Sequence, residues 1–145
     1  MPRPPRIKAP NISAPLSLKV EGPEAQEMRR TLAGFYGTSQ WYSLAPISRL
    51  TFTDGVKYLA DAGKANWLVT DIAAIVEAEP NVSKAYKRGS VYAEVKVFAD
   101  KTATVTYLSE GQKKLYEQKY SYTDFPLNNV KIKIANGVMC LPGED

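Results

Sequence analysis

Apolar residues recur at helical spacing in the first half of the chain, most clearly within residues 67–76. The members that share one helical face are Trp67, Leu68, Ile72, Ile75 and Val76. The residues before them predict another short helix, because Thr53 is suited to cap its first turn and Asp54 adds negative charge there. Gly63 is predicted to close that helix in the left-handed conformation. We therefore expect two short helices that meet at Gly63, the second with an apolar face that the C-terminal strands cover.

A further helix is predicted upstream, beginning at Pro23, where proline is tolerated as the first helical residue, and ending at Gly37. Its apolar stripe is interpreted as core rather than as a groove for a partner: Ala25, Met28, Leu32 and Phe35. The adjacent aromatics Trp41 and Tyr42 follow. They are suited either to stack on a base or sugar or to plug the core, and the lack of a basic neighbour favours the core plug.

From Val91 onwards the hydrophobic period changes to two, which is typical of half-buried strands. Strands are predicted in residues 91–98, 103–108, 115–122, 130–134 and 138–141, and Asn136-Gly137 is a strong hairpin signal. The sequence thus predicts an α+β fold of two layers, with N-terminal helices packed on a C-terminal antiparallel meander sheet of about five strands. Three tyrosines share one predicted strand face, as core or as an exposed patch: Tyr116, Tyr120 and Tyr122.

Between the two halves, Pro80 and Asn81 are predicted to end the helical part, and residues 81–90 are predicted to form a polar loop. The loop contains Lys84, Lys87 and Arg88, the one basic cluster in the predicted folded part. With Tyr86 it is suited to contact phosphate, although a solvated turn is the favoured interpretation.

The net charge of +4 is located in a tail. Residues 1–20 contain Arg3, Arg6, Lys8 and Lys19 and no acid, so the remaining 125 residues hold 15 basic residues (19 minus 4) and 15 acidic ones. Five prolines within residues 1–15 disfavour regular structure. We expect residues 1–20 to be a flexible basic tail and residues 21–145 to be a single α+β domain. The tail is either a docking arm for an acidic surface or nucleic acid, or a dispensable terminus, which is the favoured interpretation.

Composition narrows the cellular setting and the chemistry. Neither a signal peptide nor an apolar run of roughly 20 residues is evident, and the single Cys140 indicates a reducing compartment, so we expect a cytoplasmic protein without membrane contact. The sequence has no histidine, which removes the commonest general base and metal ligand. Asp54 and Asp124 each follow a threonine, a pattern that favours capping over catalysis. No cofactor, metal or enzymatic activity is expected.

Several segments resemble a family of uncharacterised small proteins encoded by bacteria, plasmids and phages. They are Trp41-Tyr42, TDGVKYLA at residues 53–60, WL at 67–68 with DIA at 71–73, YTDFPL at 122–127 and the terminal NGV and LP within 136–142. The similarity spans residues 25–142 and departs from the family pattern at Gln40, where a histidine is usual at or near this position. It brings no established activity. It implies association with mobile elements, whose small proteins often bind a host protein.

The sequence therefore predicts a non-enzymatic interaction module of phage or mobile-element type that binds and inhibits or modulates a host protein. A defence nuclease system is one such target, which would make the chain anti-CRISPR-like. The alternative is a nucleic-acid-associated accessory protein that uses the basic tail through Arg3, Arg6 and Lys8. The predicted partner-binding residues of the folded part are Tyr42, Tyr86, Lys87, Arg88, Tyr92 and Phe125.

Overall fold

A computed structural model describes residues 6–7 and 17–144 of the chain. Its helices are α1 (Pro23–Leu32), α2 (Asp54–Ala62), α3 (Asn66–Ala78) and α4 (Pro80–Arg88). Its strands are β1 (Arg6–Ile7), β2 (Trp41–Ser43), β3 (Thr51–Thr53), β4 (Val91–Val97), β5 (Ala103–Ser109), β6 (Lys114–Tyr120), β7 (Asn129–Ala135) and β8 (Val138–Cys140). A short 3-10 turn, Pro142–Glu144, follows β8 and is called the C-terminal turn below. The predicted α+β class is confirmed.

The strands form one sheet in the order β1-β6-β5-β4-β7-β8-β3-β2. The prediction of a five-stranded antiparallel meander is wrong in two respects. Strand β7 pairs with β4 instead of β6, and β3 pairs in parallel with β8, so the sheet is larger and mixed. Alternation of apolar and polar residues determines which face a side chain takes but not which strand lies beside it, so the pattern left the strand order open.

One face of the sheet is covered by helices. Alternate residues of β4 are fully buried from Val91 to Val97, and the register places Ile132 and Ile134 of β7 on the same side. These strand residues form one core with Val56, Leu68, Ile72 and other residues of the helices. The opposite face, called the open face below, carries half-exposed and mostly polar side chains. This arrangement confirms the predicted alternation within the strands.

The two central helices meet as predicted. The Thr53 hydroxyl accepts a hydrogen bond from the Val56 amide at 3.4 Å and so caps α2. Gly63, however, has a φ of −84°, and it is Lys64 that takes the left-handed conformation, with a φ of 52°. Glycine is required at position 63 for another reason, because a Cβ there would lie 2.6 Å from Cε1 of Phe125. The close approach of Phe125, rather than the end of the helix, therefore requires glycine at this position.

The predicted polar loop at residues 81–90 is mostly helix α4. Pro80 is the first residue of this helix, where its missing amide hydrogen is not needed. The proline that was predicted to end the helical part therefore begins its last helix. The Glu79 side chain accepts a hydrogen bond from the Asn81 amide at 3.1 Å and caps the helix, and Val82 is buried in the core. Lys87 and Arg88 lie in its last turn, where positive charge stabilises the helix dipole.

The N-terminal region agrees in part with its prediction. Pro23 opens α1 and Ala25 and Met28 are buried, but the helix ends at Leu32 rather than at Gly37. Before it, β1 pairs antiparallel with residues 119–120 of β6, at the edge position where a proline-flanked strand is tolerated. The predictions for Arg3 and Lys8 lie outside the described residues.

Candidate functional site

The carboxylates that sequence reasoning weighed for catalysis have structural partners. Asp54 accepts hydrogen bonds from the Ser39 amide at 2.9 Å, the Ser39 hydroxyl at 3.0 Å and the Tyr42 hydroxyl at 3.1 Å. Asp124 accepts one from the Tyr122 hydroxyl at 2.6 Å. In both cases the oxygen atoms fix neighbouring chain segments, so these geometries support capping and turn formation rather than acid–base chemistry.

These contacts hold the pKa of Asp54 below its usual value, chiefly because the Ser39 amide stabilises the charged form. A carboxyl whose pKa is lowered on folding stabilises the protein above its unfolded pKa, and that contribution is lost as the pH falls through the folded pKa. We expect Asp54→Asn to lower the melting temperature at neutral pH and to flatten its decline below about pH 5. Circular dichroism melts across pH test this.

The matched control is Glu24→Gln, which neutralises an exposed carboxylate in the first turn of α1 that makes no hydrogen bond or ion pair within residues 17–144. It should lower the melting temperature at neutral pH by less than Asp54→Asn does. An acid decline as steep in the Asp54 variant as in the parent would contradict the assigned role.

One aspartate of the helix layer is completely buried. Asp71 of α3 has no exposed surface and accepts a hydrogen bond from the Tyr120 hydroxyl at 2.7 Å. The Tyr120 ring lies 5.1 Å from the ring of Trp67, between centroids, so polar and apolar contacts fix α3 on β6 together. Within residues 6–7 and 17–144, no group of three or more cysteine, aspartate and glutamate side chains is placed to hold a metal ion.

Three of the predicted partner-binding aromatics are engaged inside the fold. Phe125 is 1% exposed, so its selection as an accessible anchor is wrong: the ring packs against Gly63. Tyr42 is half-buried, with its ring stacked on Phe52 at 5.5 Å. Tyr86 is also half-buried, and its hydroxyl accepts a hydrogen bond from the Gly137 amide at 2.7 Å, which fastens α4 to the β7–β8 hairpin.

The remaining predicted residues come together at one end of the sheet. Lys87 and Arg88 are exposed at the end of α4, and Tyr92 lies on the open face near the start of β4. The Tyr92 ring has Lys131 Nζ above it at 5.7 Å from the centroid. The position of Lys131 beside these residues was not predicted, because it lies on a strand far away in the sequence.

The tyrosines of β6 divide between core and surface. Tyr120 is fully buried, and Tyr116 is half-buried with its ring 6.2 Å from that of Tyr107. Tyr122 lies beyond the strand and is 47% exposed. The prediction that these tyrosines fill the core therefore holds for Tyr120. The three do not form one exposed patch.

Sequence reasoning missed the most exposed aromatic side chains of the described part. Tyr36 is 81% exposed and Trp41 is 59% exposed, so the core-plug interpretation of Trp41 is wrong. The register explains it: Tyr42 lies opposite Phe52, which pairs with the buried Met139, whereas Trp41 lies opposite Thr53 and points to the other side of the sheet. Adjacent strand residues point to opposite faces of the sheet, so one of the two aromatics must lie on each face. The segment is too short for its sequence to show which one is exposed.

Neighbours of Tyr36 and Trp41 contact the C-terminal turn. Glu144 in this turn accepts hydrogen bonds from the hydroxyl of Thr53, the strand neighbour of Trp41, at 2.6 Å and from the Gly55 amide at 3.0 Å. A Cβ built on Gly143 would lie 3.5 Å from the carbonyl oxygen of Phe35. We call Tyr36, Trp41 and the edge strand β2 the aromatic edge. It stands at one lateral limit of the described sheet.

The fold and this surface define an α+β domain with one helix-covered sheet face, one open face and an exposed aromatic edge. The chain belongs to a family of unknown function (DUF6876), which matches residues 26–145. No curated protein and no solved structure matches the chain. Among the described helices, none combines the length and apolar character that crossing a membrane requires.

Proposed function

We propose that the chain is a non-enzymatic protein-interaction module that binds a host protein through the aromatic edge and thereby inhibits or modulates it. The observation that carries the proposal is the 59% exposure of Trp41 on the edge strand β2. Tryptophan and tyrosine dominate the residues that contribute most to protein–protein binding. Of the large apolar side chains exposed in residues 17–144, three lie within the segment 36–47: Tyr36, Trp41 and Ile47.

The backbone of β2 adds to this surface. It pairs with β3 through Trp41–Ser43 and is the last strand in the order of the described sheet. Its outer amide and carbonyl groups are therefore placed to pair with an extended segment of a partner. Main-chain pairing of this kind supplies affinity, and the side chain of Trp41 supplies a specific contact.

The aromatic edge is held in place before any partner arrives. Asp54 fixes the backbone at Ser39 and the hydroxyl of Tyr42, which flank Trp41 in the chain. Glu144 fixes Thr53 on the neighbouring strand. A side chain on a backbone so constrained loses little freedom on binding, which favours affinity.

The proposed partner is a protein of the host cell because the sequence resembles a family encoded by bacteria, plasmids and phages, and small proteins of mobile elements often bind a host protein. A defence nuclease complex is a candidate of this class, in which case the chain would be anti-CRISPR-like. The absence of histidine from the sequence and the structural use of Asp54 and Asp124 support a role without catalysis.

The proposal is tested by affinity capture from bacterial lysate with quantitative mass spectrometry. We expect a host protein retained by the parent to be reduced at least about tenfold by Tyr36→Ala/Trp41→Ala, since an anchor of this type contributes roughly 2 kcal/mol or more. Tyr122→Ala removes another exposed tyrosine outside the aromatic edge and should retain the protein. The proposal would be contradicted if the double variant retained every captured protein, or if the Tyr122 variant lost the same protein to the same extent.

A further inference from the structure

A second surface lies at the end of the sheet where α4 meets β4. It contains six basic side chains, and we call it the basic end: Lys87, Arg88, Lys113, Lys114, Lys131 and Lys133. They come from the last turn of α4, the turn between β5 and β6, the first residue of β6, and β7. No single stretch of sequence contains more than two of them, so this surface exists only in the folded chain.

Strand pairing and side-chain contacts bring these segments together. Val91 lies opposite both Ser109 of β5 and Ile134 of β7, so the three strands share this end. Lys131 Nζ donates a hydrogen bond to Gln112 Oε1 at 3.0 Å, which joins β7 to the β5–β6 turn. The Glu110 carboxylate in that turn accepts hydrogen bonds from the Ser90 amide and hydroxyl at 3.2 and 2.9 Å, directly after α4.

The basic end has a charge surplus that the folded part as a whole lacks. Three carboxylates lie among its six cations: Glu94, which is opposite Lys131, Glu110 and Glu117. Six minus three gives +3, whereas residues 21–145 sum to zero. Within residues 17–144, the side chains of Lys87, Arg88 and Lys113 make no hydrogen bond or ion pair and are exposed, so they can reach an incoming anion.

We propose that the basic end binds the sugar–phosphate backbone of a nucleic acid without sequence preference, independently of the aromatic edge. Charge complementarity favours this partner, because several flexible cations without ion-pair partners match a regularly spaced line of single negative charges. An acidic protein would be expected to need an apolar anchor as well. Tyr86 and Tyr92 lie next to these cations, but both are half-buried: the Tyr86 hydroxyl is hydrogen-bonded to the Gly137 amide, and Lys131 lies above the Tyr92 ring.

The basic end is separate from residues 6–7, the part of the N-terminal region that forms strand β1. Strand β1 pairs with residues 119–120, at the far end of β6 from Lys114. Six residue steps along a strand separate the two ends by about 20 Å. All six cations of the basic end belong to later segments of the chain than the tail, so the two regions are separable by mutation.

The test uses fluorescence anisotropy of labelled mixed-sequence DNA of about 20 nucleotides, single-stranded and duplex, which exceeds the roughly 4–16 nucleotides that one compact domain covers. We expect the full chain to bind both, with an affinity that falls steeply with salt. Lys87→Glu/Lys113→Glu should weaken binding at least about tenfold and reduce the slope of log affinity against log salt by about 1.5–2. The Lys87→Gln/Lys113→Gln variant, which avoids charge reversal, should show a smaller loss in the same direction.

The charge-matched control is Lys64→Glu/Lys101→Glu, two exposed lysines at the opposite end of the molecule. Lys101 lies in the β4–β5 turn and Lys64 follows Gly63 beside Phe125. This variant should bind DNA nearly as well as the parent. Equal weakening by both variants, binding to anionic lipid vesicles but not to DNA, or no DNA binding by the parent at low salt would each overturn the proposal.

Discussion

Replacing Trp67 by alanine is expected to lower the free energy of unfolding by about 3–5 kcal/mol. The side chain is 5% exposed and lies against the Tyr120 ring, at the junction of α3 with β6. Its removal leaves a cavity between the layers that the rigid sheet cannot close. A domain of ordinary stability has only about 5–15 kcal/mol in total, so the variant should unfold at far lower urea than the parent.

The chain offers its own control for this experiment. Trp41→Ala removes the same side chain from the surface, and we expect a change within about 0.5 kcal/mol. Urea denaturation followed by circular dichroism measures both variants. Comparable losses in the two variants, or a stable Trp67→Ala protein, would show that the layers do not pack as described.

Replacing Gly63 by alanine is expected to cost about 1–3 kcal/mol. At its φ of −84° alanine would otherwise stabilise the protein, because it restricts the unfolded chain more than glycine does. The new Cβ would lie 2.6 Å from Phe125 Cε1 and 2.8 Å from the Leu59 carbonyl oxygen. Phe125 is 1% exposed and the Leu59 oxygen belongs to the backbone, so the chain between α2 and α3 must shift.

A double-mutant cycle identifies the contact. Phe125→Leu removes ring atoms, and in that background Gly63→Ala should cost less than in the parent. Gly37→Ala is the matched control, because a Cβ at Gly37 meets no atom within 4 Å. Purely additive losses at positions 63 and 125 would contradict the crowding account.

The elements that could be predicted from the sequence are those with a long periodic signal. The alternation from Val91 onwards gave the C-terminal strands, and the apolar face with Trp67 gave α3. Strand order could not be predicted, since β7 returns to β4 after the irregular residues 121–128, whose Phe125 and Leu127 are buried without a periodic signal in the sequence. Pro80 shows a different difficulty, because proline both ends one helix and begins the next.

The candidate surfaces were harder to predict than the fold. Phe125 was selected because aromatic residues are common in interfaces. They are also common in protein cores, and only its burial in the structure shows that Phe125 belongs to the core. Trp41 was assigned to the core because the aromatic pair has no basic neighbour. A strand of three residues is too short for its sequence to show which of the two aromatics is exposed. Lys87 and Arg88 were recognised as basic, yet Lys131 and Lys133 join them only through strand pairing.

The most direct test of the proposed function is the fluorescence of Trp41 in a Trp67→Phe protein, where it is the sole tryptophan. Titration with the captured host protein, made tryptophan-free where needed, should shift the emission to shorter wavelength and protect it from a soluble quencher, because the exposed indole becomes buried. Emission and quenching that stay unchanged at saturating partner would contradict binding through the aromatic edge.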